Sequence, residues 1–118
     1  MAEIRLKRAY EEPASDDGLR ILVERLWPRG LTRERAGVDH WVKEVAPSTE
    51  LRRWFNHDPA RWGEFQKRYR AELRQNKDAV EELRQRCRGQ TVTLVYAARD
   101  EMHNAALVLK NYLEESEH

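Results

Sequence analysis

Three short stretches of this sequence collect side chains able to hold an anion or move a proton. Glu24-Arg25-Leu26-Trp27-Pro28-Arg29-Gly30-Leu31 gathers two arginines, a tryptophan and a permissive glycine where an apolar run ends. Tyr96-Ala97-Ala98-Arg99-Asp100-Glu101-Met102-His103-Asn104 follows a second such run. Trp54-Phe55-Asn56-His57-Asp58-Pro59 sets a histidine between an aromatic pair and an acid. Arg25, Arg29 and Arg99 would neutralise an anion through charge-assisted hydrogen bonds, with Asn104 in the same binding set. His57 or His103 would shuttle a proton, His103 oriented by Asp100 or Glu101. Trp27 and Trp54 would wall the site and offer a face for a planar group. Each stretch also has a plainer reading. Arg25 would pair with a core carboxylate while Trp27 caps the core, His103 would be a surface or capping residue, and Asp58 as a helix start explains much of the third motif.

The elements that must position these residues follow from periodicity and stop signals. Ile4 to Lys7 alternates like a strand with one wet face. Residues 11–18 form a polar loop ending in Asp17-Gly18 turn chemistry. Leu19 to Leu26 reads as a mostly buried strand, halted by Pro28 and Gly30. A short helix fits Arg33 to Ala36, and Ser48 and Thr49 ahead of Glu50 to Phe55 look like a capped helix with an acid in its first turn. Asp58-Pro59 opens another, with Trp62, Phe65, Tyr69 and Leu73 on one stripe. Asp78 to Arg88 turns Val80, Leu83 and Cys87 inward and ends at Gly89. Thr91 to Tyr96 is a β-branched strand. Asp100 then caps a helix running from Glu101 to about Glu115 that buries Met102, Ala105, Ala106, Leu109 and Leu113. No repeat, linker or low-complexity segment interrupts the chain.

Composition bounds the function classes. The chain has 118 residues, 40% hydrophobic and 36% charged, and would bury about two thirds of its unfolded surface, enough for one core. No apolar run reaches the about 20 residues of a membrane span, and Met1-Ala2-Glu3-Ile4-Arg5 lacks the order of a signal peptide, so a cytosolic location and no membrane partner are expected. One cysteine, Cys87, excludes an internal disulfide framework, and on its apolar helix face it reads as core. His40, His57 and His103 are scattered without zinc spacing, and His118 is terminal, so no metal is expected. The P-loop, the dinucleotide-binding glycine motif and the nucleophile elbow are all missing, and no cofactor follows from the residues. The net charge of +1 hides a gradient: residues 61–90 carry nine basic against five acidic residues, and residues 91–118 two against five. A salt-bridged surface is the plain reading of that basic stretch.

Three blocks together resemble a known family. They are Val23-Glu24-Arg25-Leu26-Trp27-Pro28-Arg29-Gly30-Leu31; Ala46-Pro47-Ser48 with Glu50-Leu51-Arg52-Arg53-Trp54-Phe55 and His57-Asp58-Pro59; and Leu94-Val95-Tyr96-Ala97-Ala98-Arg99-Asp100 with His103-Asn104. In this order, over nearly the whole chain, they are similar to the YeaO-like branch of domain-of-unknown-function family 488. The resemblance implies an α/β domain with the 24–31 and 96–104 loops close together, and no established activity. Longer members carry cysteines and a Cys-His-Arg run in the final block. Here Tyr96-Ala97-Ala98-Arg99 and Met102-His103-Asn104 stand there instead, so cysteine chemistry does not transfer. The helix those members place after the first strand is reduced here to the loop at residues 9–18, which leaves the first strand's direction open.

The expectation is therefore a single small α/β domain, with a short, mostly parallel sheet of about three or four strands packed with helices. Its pocket would take a small anionic ligand, with hydrolase-type acid/base chemistry as an extension. The rival is a regulatory module binding nucleic acid or protein through the basic helices, disfavoured by a pI near 7.9. Oligomeric state does not follow from the sequence.

Overall fold

The computed structural model describes residues 3–115; Met1, Ala2 and His118 lie outside them. Four strands, β1 Glu3–Arg8, β2 Leu19–Leu22, β3 His40–Trp41 and β4 Thr91–Tyr96, form one sheet in the order β1-β4-β2-β3. Every neighbouring pair is parallel, which settles the direction of β1. The return from β1 to β2 is made by residues 9–18 with only a 3-10 turn at Ser15–Asp17, near the lower limit for a parallel crossover. β4 lies at the centre and is buried from Val92 to Tyr96, as its β-branched, uncharged sequence requires.

Among the described residues five α-helices accompany the sheet: α1 Arg33–Ala36, α2 Thr49–Phe55, α3 Trp62–Gln75, α4 Lys77–Cys87 and α5 Ala105–Glu115. Their starts follow the local signals. Thr32 accepts from Arg35 N–H at 3.1 Å, and Ser48 from Leu51 N–H at 3.2 Å. Asp58 accepts from Ala60 N–H at 3.0 Å and opens a 3-10 turn with Pro59 first, which runs into α3. α3 buries Phe65, Tyr69 and Leu73 but leaves Trp62 half-buried, while α4 buries Val80, Leu83 and Cys87. These side chains share one core with α5, with the strand residues Ile4, Ile21, Val92, Leu94 and Tyr96, and with Val23 just after β2.

The opposite face of the sheet carries no long helix. Ala9, Leu22 and Val95 form a small second core there, covered by Trp27, Leu31, Val38 and Trp41. Beside it the register aligns Arg5, Thr93 and Arg20 across three strands. The 9–18 crossover is pinned over this row by polar contacts: Asp17 meets Arg20 at 2.7 Å and Lys7 at 3.1 Å, and Thr93 Oγ1 donates to the Asp17 carbonyl at 2.7 Å. Arg20 also donates to the carbonyls of Ala36 and Gly37, so the buried guanidinium is held from several sides.

Two expected boundaries move. β2 ends at Leu22 instead of Leu26: Val23 N–H still reaches the Val95 carbonyl at 3.1 Å, but the chain then turns, and Leu26 is 67% exposed. Side-chain hydrogen bonds hold that turn, from Trp41 Nε1 to the Glu24 carbonyl and from Arg25 to the carbonyls of Ala46 and Pro47. α5 begins at Ala105, not Glu101. Asp100 caps a separate turn by accepting from Met102 and His103 N–H, and Asn104 is the true cap of α5, accepting from Leu107 N–H at 2.9 Å. Met102 consequently lies 69% exposed and is not a core residue.

Candidate functional site

β2 and β4 are adjacent, yet their chains leave in opposite directions. After β2 the chain passes to the Trp27 and Trp41 side, and after β4 it passes to α5 on the other side. Such a divergence at the carboxyl ends of two adjacent parallel strands is where α/β sheets place ligands. Glu24 stands at it. Its Oε2 accepts from Ala97 N–H at 3.0 Å, joining the two diverging chains, and its own carbonyl accepts from Trp41 Nε1 at 2.6 Å. Burial raises the Glu24 pKa above the ordinary glutamate value, against the opposing pull of the Ala97 N–H, Arg52 and His57.

His57 and His103 are linked to each other by a row of rings. Phe55 lies 6.4 Å from His57 and 5.9 Å from Trp62, and Trp62 meets His103 edge-on at 5.3 Å. His103 Nδ1 is 2.8 Å from Asp100 Oδ2, the orienting pair expected from the sequence. Asp100 sits below the ordinary aspartate range because it accepts from Met102 N–H and from His103. His57 has φ of 54°, following Asn56 at 47°. Asn56 is the left-handed cap of α2, a role asparagine fills readily. Asn56 and His57 are the two central residues of a turn closed by the Asp58 N–H donating to the Phe55 carbonyl at 3.0 Å, the type I′ geometry that needs positive φ at both.

The other nominated residues are placed elsewhere. Arg25 is spent on the carbonyls of Pro47 at 3.1 Å and Ala46 at 2.9 Å, so it latches the 46–47 segment to the strand end; carbonyls take the place of the core carboxylate. Trp27 donates to the Leu31 carbonyl and packs edge-on against Trp41 at 5.5 Å, on the sheet's second face. Trp54 is covered by the Arg61 and Arg68 guanidinium groups, which lie 5.4 and 4.2 Å from its ring. Arg29 and Arg99 are exposed, with no carboxylate partner among the described residues. Asn104 is buried and its amide is used within the fold, donating to the Asp100 carbonyl and capping α5. Glu24, the residue that joins the loops, escaped notice because its partner is 73 positions away.

Among the described residues no group of three or more His, Cys, Asp or Glu is arranged to hold a metal. A separate cleft of about 140 Å³ lies between β3 and α4, lined by His40, Trp41, Glu44, Glu82 and Arg86, and it contains none of the nominated residues. The basic stretch of α3 and α4 is largely salt-bridged: Arg68 with Glu64, Arg70 with Glu115, Arg84 with Glu81, and Arg86 with Glu82.

The fold is that of a small, all-parallel α/β domain with the Glu24 carboxylate between its two central strand ends. The chain belongs to the DUF488-N3i family, described as the inactive DUF488-N3 subclade, whose model matches residues 3–118. It is 41% identical over 110 residues to the uncharacterized protein YeaO of Escherichia coli strain K12, covering 93% of this chain and 96% of that one. It is 43% identical over 110 residues to the uncharacterized protein Rv3073c of Mycobacterium tuberculosis, covering 93% and 92%. The uncharacterized protein Mb3100c of Mycobacterium bovis matches equally well. No solved structure matches the chain. No helix among the described residues is long and apolar enough to cross a membrane.

Proposed function

We propose that this protein binds a small anionic ligand at the ends of β2 and β4 and does not turn it over. The reading is carried by the strand-end position, where Glu24 ties the diverging ends of β2 and β4 together through the Ala97 N–H and where Arg52 and His57 act on its carboxyl. Arg52, His57 and His103 supply the donors for an anion. Arg29 and Arg99 are exposed, and Arg25 is spent on the Ala46 and Pro47 carbonyls, so none of the three is part of this donor set. The family description of the subclade as inactive supports binding over hydrolysis. The nucleic-acid reading draws less support, because the basic helices spend their arginines on neighbouring glutamates.

The test is a thermal-shift titration with inorganic phosphate and phosphate esters at low ionic strength, on the wild type, His57→Gly and Arg52→Ala. An anion at a hundredfold excess over its Kd adds about 2.7 kcal/mol, a rise of roughly 10 °C for a domain of this size. His57→Gly relieves the left-handed strain, so it should melt higher than wild type without ligand and gain less from the anion. Absence of any anion-dependent shift in the wild type would sink the reading.

A further inference from the structure

The two edges of the sheet differ. β3 has only two residues, whereas β1 runs in unbroken register with β4, from Glu3 opposite Thr91 to Arg8 opposite Tyr96, with no proline or bulge to blunt it. The main-chain bonds show which way β1 faces. Glu3 N–H donates to the Gln90 carbonyl and Ala9 N–H to the Tyr96 carbonyl, so the odd-numbered residues turn toward β4. Ile4, Leu6 and Arg8 therefore turn their main-chain groups outward, because successive residues of a strand alternate in direction. The Arg8 carbonyl is taken by Glu11 N–H, but the N–H and C=O of Ile4 and Leu6 have no partner among the described residues. Such an edge is a template for another strand.

The side chains of β1 say which strand fits. On the α5 face are Ile4 and Leu6, and on the other face Glu3, Arg5 and Lys7. An antiparallel copy of the same strand, related by a two-fold axis at Arg5, sets Ile4 against Leu6 and Glu3 against Lys7 on both sides of the axis. Each Ile4–Leu6 pair then exchanges two N–H···O bonds, which uses all four open groups on each copy. Glu3 and Lys7 meet as unlike charges at the closely spaced positions. Arg5 meets its own copy there, but each guanidinium is turned back onto its own Glu3 at 3.2 Å and its own Asp16 carbonyl at 2.9 Å. We propose that the protein pairs with a second copy of itself through β1, the two sheets joining edge to edge. The joint lies at the outer edge of the sheet, away from the ends of β2 and β4, so its test is independent of anion binding.

Sedimentation equilibrium from micromolar to millimolar protein tests this, with amide hydrogen exchange followed by NMR on the same samples. The wild type should form a dimer in which the Ile4 and Leu6 amides are protected, and lose that protection on dilution to the monomer. Leu6→Pro removes an outward N–H and no bond to β4, so it should remain monomeric. Glu3→Lys changes an exposed side chain that bonds only Arg5, sets like charge against Lys7 twice per dimer, and should weaken association about tenfold. Should Leu6→Pro fail to fold, Glu3→Lys and the exchange data decide. A wild type that stays monomeric over the whole range overturns the proposal. So does a dimer whose Ile4 and Leu6 amides exchange as freely as in the monomer, or one that Glu3→Lys leaves unchanged.

Discussion

The Glu24 carboxylate accepts the backbone N–H of Ala97 at 3.0 Å, across the gap where β2 and β4 part company. That contact is made by a half-buried acid whose pKa lies above the ordinary glutamate value, chiefly through desolvation. A carboxyl with a raised folded-state pKa binds its proton more tightly in the native than in the unfolded chain. Its contribution to stability is full below the ordinary glutamate value and disappears as pH rises through the raised one. Urea unfolding of wild type and Glu24→Gln across the acid-to-neutral range should show the wild type losing ground to the variant as pH increases. A difference that stays constant with pH would contradict this assignment.

Arg25 gives a second expectation, because its side chain bonds two buried carbonyls, those of Ala46 and Pro47. Arg25→Ala should cost about 1–3 kcal/mol by leaving those acceptors unpaired. Anion affinity, measured on the fraction that remains folded, should change little. A variant of wild-type stability with abolished anion binding would return Arg25 to the binding set.

What the sequence revealed and what it concealed divide along range. α2 with its Ser48 cap, the Asp58-Pro59 start and β4 are each fixed by signals within a few residues, so period and cap chemistry located them. The start of α5 was misplaced because two capping residues, Asp100 and Asn104, stand four apart; only the hydrogen bonds show that the first serves a separate turn. β3 has two residues, too few to carry a periodic signal. The meeting of Glu24 with Ala97 depends on strand order, which no local pattern encodes. The convergence of the loops themselves was implied by the family likeness, whereas the diversion of Arg25, Trp27 and Asn104 into structural bonds was not.

Asp17 reads in sequence as part of a polar loop, yet it is 6% exposed and ties the crossover to the sheet. Desolvation pushes its pKa up, but the Ala14 N–H, Lys7 and Arg20 together outweigh that and hold it below the ordinary aspartate value. Its stabilisation is therefore present above the ordinary value and is lost as pH falls through the lowered one. Asp17→Ala leaves the buried Arg20 guanidinium without its counter-charge, and the expected loss is about 3 kcal/mol. Acid unfolding should shift to higher pH in a milder variant, Asp17→Asn, and near-wild-type stability of Asp17→Ala would show that the Ala36 and Gly37 carbonyls suffice for Arg20.

Gly18 completes the same crossover, and its prediction separates backbone freedom from close approach. At φ of 68° and ψ of −139° it occupies a region essentially reserved for glycine. A Cβ there would lie 2.2 Å from the Thr91 carbonyl oxygen and 2.9 Å from its carbon, backbone atoms that cannot rotate aside. Gly30 has a similar φ of 76°, but a Cβ added to it meets nothing within 4 Å. Gly30→Ala should therefore cost only the conformational term, about 1–2 kcal/mol. Gly18→Ala must in addition push the turn bearing Asp17 away from the first residue of β4, and should cost at least about 2 kcal/mol more. Chemical denaturation of the two variants side by side decides the point: equal losses would mean that the crossover yields freely at Thr91, and that Asp17 and Thr93 alone hold it to the sheet.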